Sequence, residues 1–416
     1  MMVLGGIRMK VAILGMGTVG SGVIKVFQEN YEKIEAYVGE ALEVTHVFGG
    51  TINNTHNADL TGITITDDIE EIYNSGVDIV VEVMGGIDFT YNIHKHFLSK
   101  GIHVISANKD MLAEHIDELA EIGNANKAQL SYEASSAGGI PIINSILYGF
   151  NANKITRVMG ILNGTTNYIL TKMTHEGWDY HEALEEAQKL GFAEADPTAD
   201  VEGLDARRKI TLLSRIAYDR KIVNDDVPVK GISQVEVDDI EIGKDAGLVM
   251  KLLGSSEFDG EELIISVEPT FLSMTHQLAY VNEAQNAVYV NGNAVGEAML
   301  YGPGAGSLET ASAVVSDLAN TARFGFIGNA LPKEDAVIAE ANNHNHYYIR
   351  FAAHDEKEIE DLMAELDINA LTIDADHEDY VIQTEAIPLS VLEKIKEKLD
   401  IKAVYPIVTD KEVQYE

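Results

Sequence analysis

The chain opens with short apolar runs separated by segments of helical period. Lys10–Leu14 reads as a strand ending at Gly15, and from Thr18 the apolar positions Val19, Val23, Val26 and Phe27 recur on one helix face, to about Val38. Further strands are predicted over Leu42–Phe48, Val77–Met84, His103–Ser106 and Gln129–Glu133, with helices over Thr90–Lys100 and Asp110–Ala125 between the later ones. This alternation predicts a doubly wound parallel sheet.

After Gly138-Gly139-Ile140-Pro141 the strands thin out. Helical patterns cover Asn163–Glu176, Asp179–Leu190 and Val201–Tyr218, and Leu263–Pro269 and Asn286–Val290 read as strands of a second sheet. Tyr301–Gly306 is a glycine-rich loop leading into a small-residue helix, Ser307 to about Ala322. Beyond a polar break at Asn342–His346, strands at Tyr347–Ala352, Ala370–Asp374, Tyr380–Thr384 and Ala403–Pro406 alternate with helices at Lys357–Leu366 and Leu389–Leu399. That is β-α-β-β-α-β, a ferredoxin-like unit. The predicted class is α/β, with a dinucleotide-type domain over 1–141 completed by 302–326, an α+β domain over 142–301 and the ferredoxin-like domain over 342–416.

Composition narrows the functions open to such a chain. Its 416 residues are 46% hydrophobic and 23% charged, an ordinary globular balance with room for two or three cores. There is no cysteine, which removes disulfides, thiolate metal sites and thiol nucleophiles and fits a reducing cytoplasm or a Cys-avoiding organism. The net charge of −37 is dispersed, so nucleic acid and anionic membranes are poor partners. No apolar run approaches a membrane span, and Met1–Met9 is too short for a signal peptide; it is a leader or Met9 is the true start.

Gly15-Met16-Gly17-Thr18-Val19-Gly20 fits G-x-G-x-x-G between a predicted strand and a predicted helix. Gly15 permits the turn, Gly17 admits a pyrophosphate, Gly20 allows close packing, and the helix start at Thr18 and Val19 offers free N–H groups. The second strand ends His46-Val47-Phe48-Gly49-Gly50 without an acidic ribose ligand, so NAD and NADP both stay open. Asp205 and Lys209 stand one helical turn apart, which on an exposed helix is an ordinary ion pair. Glu194, Asp196, Asp200 and Glu202 crowd ahead of them, a composition suited to gripping an ammonium and handling a proton. Lys109 follows a strand at the ligand-binding edge of the sheet, or is surface charge; Glu133 to Ile140 is a domain hinge or a loop of carbonyls for a hard cation.

Taken together, these segments resemble the homoserine dehydrogenases. The resemblance runs over roughly residues 9 to 325, through the glycine fingerprint, Glu82-Val83-Met84-Gly85-Gly86, Ala107-Asn108-Lys109, Glu133 to Ile143, Gly160 to Leu170, Gly191 to Lys209 and Gly302 to Gly306. It implies a Rossmann domain and NAD(P)-dependent interconversion of L-homoserine and L-aspartate 4-semialdehyde, on the way to threonine, methionine and isoleucine. In this likeness Lys209 is the catalytic acid/base, Asp205 and Glu194 hold the substrate, Lys109 stands beside nicotinamide and substrate, and Gly85 and Gly306 contact the cofactor. Glu133 with the main chain of Ser136, Gly138 and Ile140 matches a sodium site. Dimers or tetramers are implied.

The C-terminal unit resembles an ACT domain, but Phe351-Ala352-Ala353-His354-Asp355-Glu356-Lys357-Glu358-Ile359 lacks the Pro-Gly turn of ligand-binding copies. Feedback by threonine and a structural or dimerising role both stay open. Aspartate-semialdehyde dehydrogenase, which shares a substrate but needs a cysteine nucleophile, is excluded. A catalytically silent amino-acid sensor is disfavoured by the retention of Lys109, Glu194, Asp205 and Lys209 together.

Overall fold

A computed structural model describes residues 8–339, 344–352, 356–374 and 379–409; residues 1–7 and 353–355 lie outside these. The chain forms two compact units, one of Met1–Ala152, Leu212–Lys221 and Gly302–Glu334, the other of Asn153–Thr211, Ile222–Tyr301 and Asp335–Glu416. No helix of the described residues is long and apolar enough to cross a membrane.

The first unit is built on a six-stranded parallel sheet. Strands β1 (Met9–Leu14), β2 (Leu42–Phe48), β3 (Thr64–Thr66), β4 (Ile79–Glu82), β5 (His103–Ser106) and β6 (Leu130–Ser131) lie in the order 3-2-1-4-5-6. Continuous apolar runs suit strands covered on both faces, and Val11, Ala12, Ile13 and Leu14 are wholly buried, as are Ile79, Val80 and Val81. The order reverses between β1 and β4, which is where ligands bind in such sheets.

The helix expected from Thr18 to Val38 is instead two, α1 (Thr18–Glu29) and α2 (Tyr31–Val38). Asn30 breaks it: its Nδ2 donates to the Val26 carbonyl at 2.9 Å, and its backbone (φ −110°, ψ 13°) leaves the helical region. Helices α3 (Ile69–Tyr73), α4 (Asp88–Ser99) and α5 (Lys109–Asn126) complete the alternation, with Ser307–Phe324 packing against α1. The predicted strand Gln129–Glu133 is shorter than expected, and Glu133 opens a 3₁₀ turn.

The second unit departs further from expectation. Its mixed sheet runs Gly296–Pro303, Gln285–Gly292, Ile155–Ile161, Leu248–Phe258, Glu262–Ser273, Ile401–Val408, His344–Phe351, Tyr380–Thr384, Ala370–Asp374. The C-terminal β-α-β-β-α-β order is present, yet this segment shares a sheet with the middle of the chain. Ile401–Val408 pairs in parallel with Glu262–Ser273 through Phe271↔Ile407 and Leu272↔Val408, so no boundary of the sheet falls at 342. The expected polar break is partly strand, since His344 to His346 already pair with neighbouring strands; 342 and 343 lie outside the described residues.

Candidate active site

In the first unit the glycines divide into those locked by packing and those that leave room. Gly15 has φ +104°, and an added Cβ there would sit 2.9 Å from the Val83 carbonyl oxygen; at Gly20 it would sit 1.9 Å from the Gly15 carbonyl oxygen. At Gly17 and Gly85 an added Cβ meets nothing within 4 Å. The turn is thus pinned from below and open above. No side chain caps α1 after Gly17, which leaves its first-turn N–H groups for a ligand's phosphates. The residues present fit a dinucleotide.

Two further segments close on this turn. Ser307 Oγ donates to the Thr18 carbonyl at 2.7 Å and meets His56 Nε2 at 2.6 Å, and the Asn53 N–H donates to the Met16 carbonyl. Gly306 stands immediately before Ser307 with φ +132°, where a Cβ would meet the Glu309 carboxylate at 2.1 Å. Lys109 is half-buried and is the first residue of α5 rather than a loop residue, with Asn108 capping that helix through Oδ1 and the Met111 N–H. An ammonium at the positive end of a helix is disfavoured by roughly 0.3–1 kcal/mol, so this placement needs a reason beyond helix stability.

The second unit assembles the charged cluster. Lys209 Nζ donates to Asp205 Oδ2 and to the Leu162 carbonyl, each at 2.7 Å, and Lys209 is only 9% exposed. Asn163 Nδ2 donates to the same Asp205 Oδ2 at 2.9 Å and to Asp200 Oδ1 at 2.7 Å, while its Oδ1 caps the helix Gly164–Glu176 through the Thr166 N–H. The pair is therefore buried and held, not an exposed surface pair. Gly254 makes the approach possible, because a Cβ there would lie 3.0 Å from Ile210, the residue after the lysine, and 3.1 Å from Leu162, whose carbonyl the lysine meets.

Of the carboxylates expected to converge, Asp205 and Asp200 do so. Glu194 is exposed on its loop, where its main-chain carbonyl accepts from Gln188. Asn163 was missed as a site residue, although its place before a helical run marks it as an N-cap. A second buried lysine was missed as well: Lys251 donates to Asn167 Oδ1 and the Val281 carbonyl, and burial lowers its pKa to about 7.

Glu133 lies in the first unit with its carboxylate already engaged, accepting the N–H groups of Ile143 at 2.9 Å and Asn144 at 2.7 Å. Asp317 accepts the Glu133 N–H at 2.8 Å and Asn144 Nδ2 at 3.1 Å. Burial, then the charge of Asp317, pushes Glu133 up to about 8, and burial pushes Asp317 up to about 6. Ala137 and Gly138 turn the following loop at φ 55° and 56°, and Ser136 Oγ is buried with no hydrogen-bond partner among the described residues. The orphaned Ser136 hydroxyl beside this left-handed turn is an oxygen that a hard cation could engage.

A pinned glycine turn on a 3-2-1-4-5-6 sheet in the first unit and a buried lysine–aspartate pair in the second are features of a dinucleotide-dependent oxidoreductase. Family models for homoserine dehydrogenase and for the homoserine dehydrogenase NAD-binding domain match residues 141–319 and 15–133. The chain is 45% identical over 325 residues to the homoserine dehydrogenase of Bacillus subtilis, covering 77% of this chain and 75% of that one. A solved homoserine dehydrogenase from Thiobacillus denitrificans superposes with a TM-score of 0.88 at 31% identity, over 97% of this chain and 99% of that one. A hyperthermophilic archaeal homoserine dehydrogenase in complex with NADPH does so with a TM-score of 0.64 at 27% identity, over 77% of this chain and 99% of that one. The chain belongs to the homoserine dehydrogenase family. Its activity is the NAD(P)-dependent interconversion of L-homoserine and L-aspartate 4-semialdehyde.

Proposed function

We propose that Lys209 is the acid/base of this reaction and Asp205 the group that holds it and the substrate's polar end. The observation that carries the reading is the buried Lys209–Asp205 contact at 2.7 Å. A bound reduced nicotinamide supplies the hydride for the aldehyde carbon. The oxygen of that carbonyl gains a full negative charge as the hydride arrives, and Lys209 stabilises it and gives it a proton. In the oxidation direction Lys209 accepts the hydroxyl proton. Asp205 keeps the ammonium in place, and Asn163, shared between Asp205 and Asp200, fixes the carboxylate.

Gly15, Gly17, Thr18, Val19 and Gly20 carry the pyrophosphate, with Gly85, Gly306 and Lys109 as further cofactor contacts; Lys109 also serves the substrate. Glu194 keeps a substrate-binding role on the family resemblance alone. Glu133 with the main chain of Ser136, Gly138 and Ile140 holds a sodium ion of structural purpose. We place the protein in the cytoplasm as a homodimer or homotetramer, with threonine as the effector to test at the C-terminal segment.

The test is the initial rate of homoserine oxidation with NAD and with NADP, at varied sodium and with and without threonine. Turnover with either cofactor is the expected result. Folded protein that binds a cofactor yet never turns over would remove Lys209 and Asp205 from their roles.

A further inference from the structure

Strands β4 and β5 end side by side, with Glu82 paired to Ser106. Glu82, Ser106 and His94 are all completely buried, and the carboxylate is the hub of a polar network at this end of the sheet. Its Oε1 accepts the Met84 N–H at 2.6 Å; its Oε2 accepts Ser106 Oγ at 3.0 Å and meets His94 Nε2 at 3.0 Å. Ser106 Oγ in turn accepts the Asn108 N–H at 3.0 Å. Asn108 Nδ2 crosses to the Gly86 carbonyl at 2.7 Å and to Thr90 Oγ1 at 3.1 Å, and Thr90 Oγ1 donates to the same carbonyl.

One carboxylate thus ties two loops together. The first carries Gly85, and the second leads into Lys109. His94 Nδ1 is buried without a hydrogen-bond partner among the described residues, a cost that an apolar residue filling the same space would avoid. We infer that Glu82, braced by His94 and Ser106, is a positioning residue that sets where Gly85 and Lys109 stand and so how the cofactor and substrate are held. The inference rests on the cofactor-site reading of Gly85 and Lys109 given above.

Glu82→Gln keeps the shape but puts an amide NH₂ against donors that need an acceptor. Ser106→Ala removes the hydroxyl that links Glu82 to the Asn108 N–H. The first readout is hydrogen exchange of the ligand-free protein: in both variants the segments 83–87 and 107–111 are expected to exchange at least ~10-fold faster, with the rest of the sheet unchanged. The second is a double-mutant comparison. Glu82→Gln is expected to lower kcat ~10-fold or more in the natural chain but less than ~2-fold in a Lys109→Ala background, because the carboxylate acts through that lysine. The third is cofactor affinity by calorimetry, expected to weaken in both variants.

Unchanged exchange in both loops would overturn the inference, as would an equal kcat loss in both backgrounds with only a lowered melting temperature. Absence of homoserine turnover in the natural chain would defeat the functional reading instead, and exchange and cofactor affinity would still decide this one.

Discussion

The two halves of the chemistry are made from opposite materials. The cofactor turn in the first unit works through what is missing: Gly17 and Gly85 leave space, Gly15 and Gly20 let backbones touch, and no side chain caps α1. The cluster in the second unit works through what is present, with Lys209, Asp205, Asn163 and Asp200 joined by hydrogen bonds of 2.7 to 2.9 Å. The contrast separates the means of failure. Damage to the turn acts by obstruction and is read in affinity, whereas damage to the cluster acts by removing a group and is read in turnover.

The largest effect should come from the cluster. Lys209→Ala and Asp205→Ala are each expected to lower kcat by about 10³-fold, and the double variant to lose little more than either single one, since the two residues act as a unit. Additive losses would show that they serve separate steps. Next comes the turn: Gly17→Val should weaken cofactor binding by about 100-fold, because a side chain then occupies the pyrophosphate's space. Unchanged affinity would sink the fingerprint assignment.

The smallest effect concerns Glu133 and Asp317, buried carboxylates that lack the lysine Asp205 has among its hydrogen-bond partners. Their native pKa values lie above the ordinary ones of 4.5 and 3.8, so the folded state binds more protons than the unfolded chain over this range. Their contribution to stability is present at low pH and is lost as pH rises, from about 3.8 through about 6 for Asp317 and from about 4.5 through about 8 for Glu133. Denaturant unfolding between pH 5 and 7 should show Glu133→Gln with a flatter decline than the natural chain; an identical decline would reject the raised value.

The same contrast explains what could be read without a structure. The glycine turn is local, so Lys10–Gly20 announces strand, turn and helix within one short segment. Asp205 is local to Lys209, but what holds the pair is not: Leu162 lies 47 residues from Lys209 and Asn163 lies 42 from Asp205. Asp317 reaches the Glu133 N–H across 184 residues. Strands Ile155–Ile161 and Leu248–Phe258 escaped notice because Arg157 and Lys251 interrupt their apolar pattern. Lys251 is nonetheless buried, its ammonium satisfied by carbonyls that only the fold brings near. Glu194 lies exposed on its loop, apart from the hydrogen bonds that join Asp200 and Asp205, so density of carboxylates along a loop does not by itself say which of them share a partner.

The separation of binding from proton transfer is tested most directly on one preparation of Lys209→Ala, by measuring cofactor Kd calorimetrically beside kcat for homoserine oxidation. Turnover should collapse while Kd stays within about twofold of the natural chain, a difference of less than ~0.5 kcal/mol. A Kd weakened in proportion to the lost turnover would contradict the account, because Lys209 would then be holding the cofactor rather than serving the reacting oxygen.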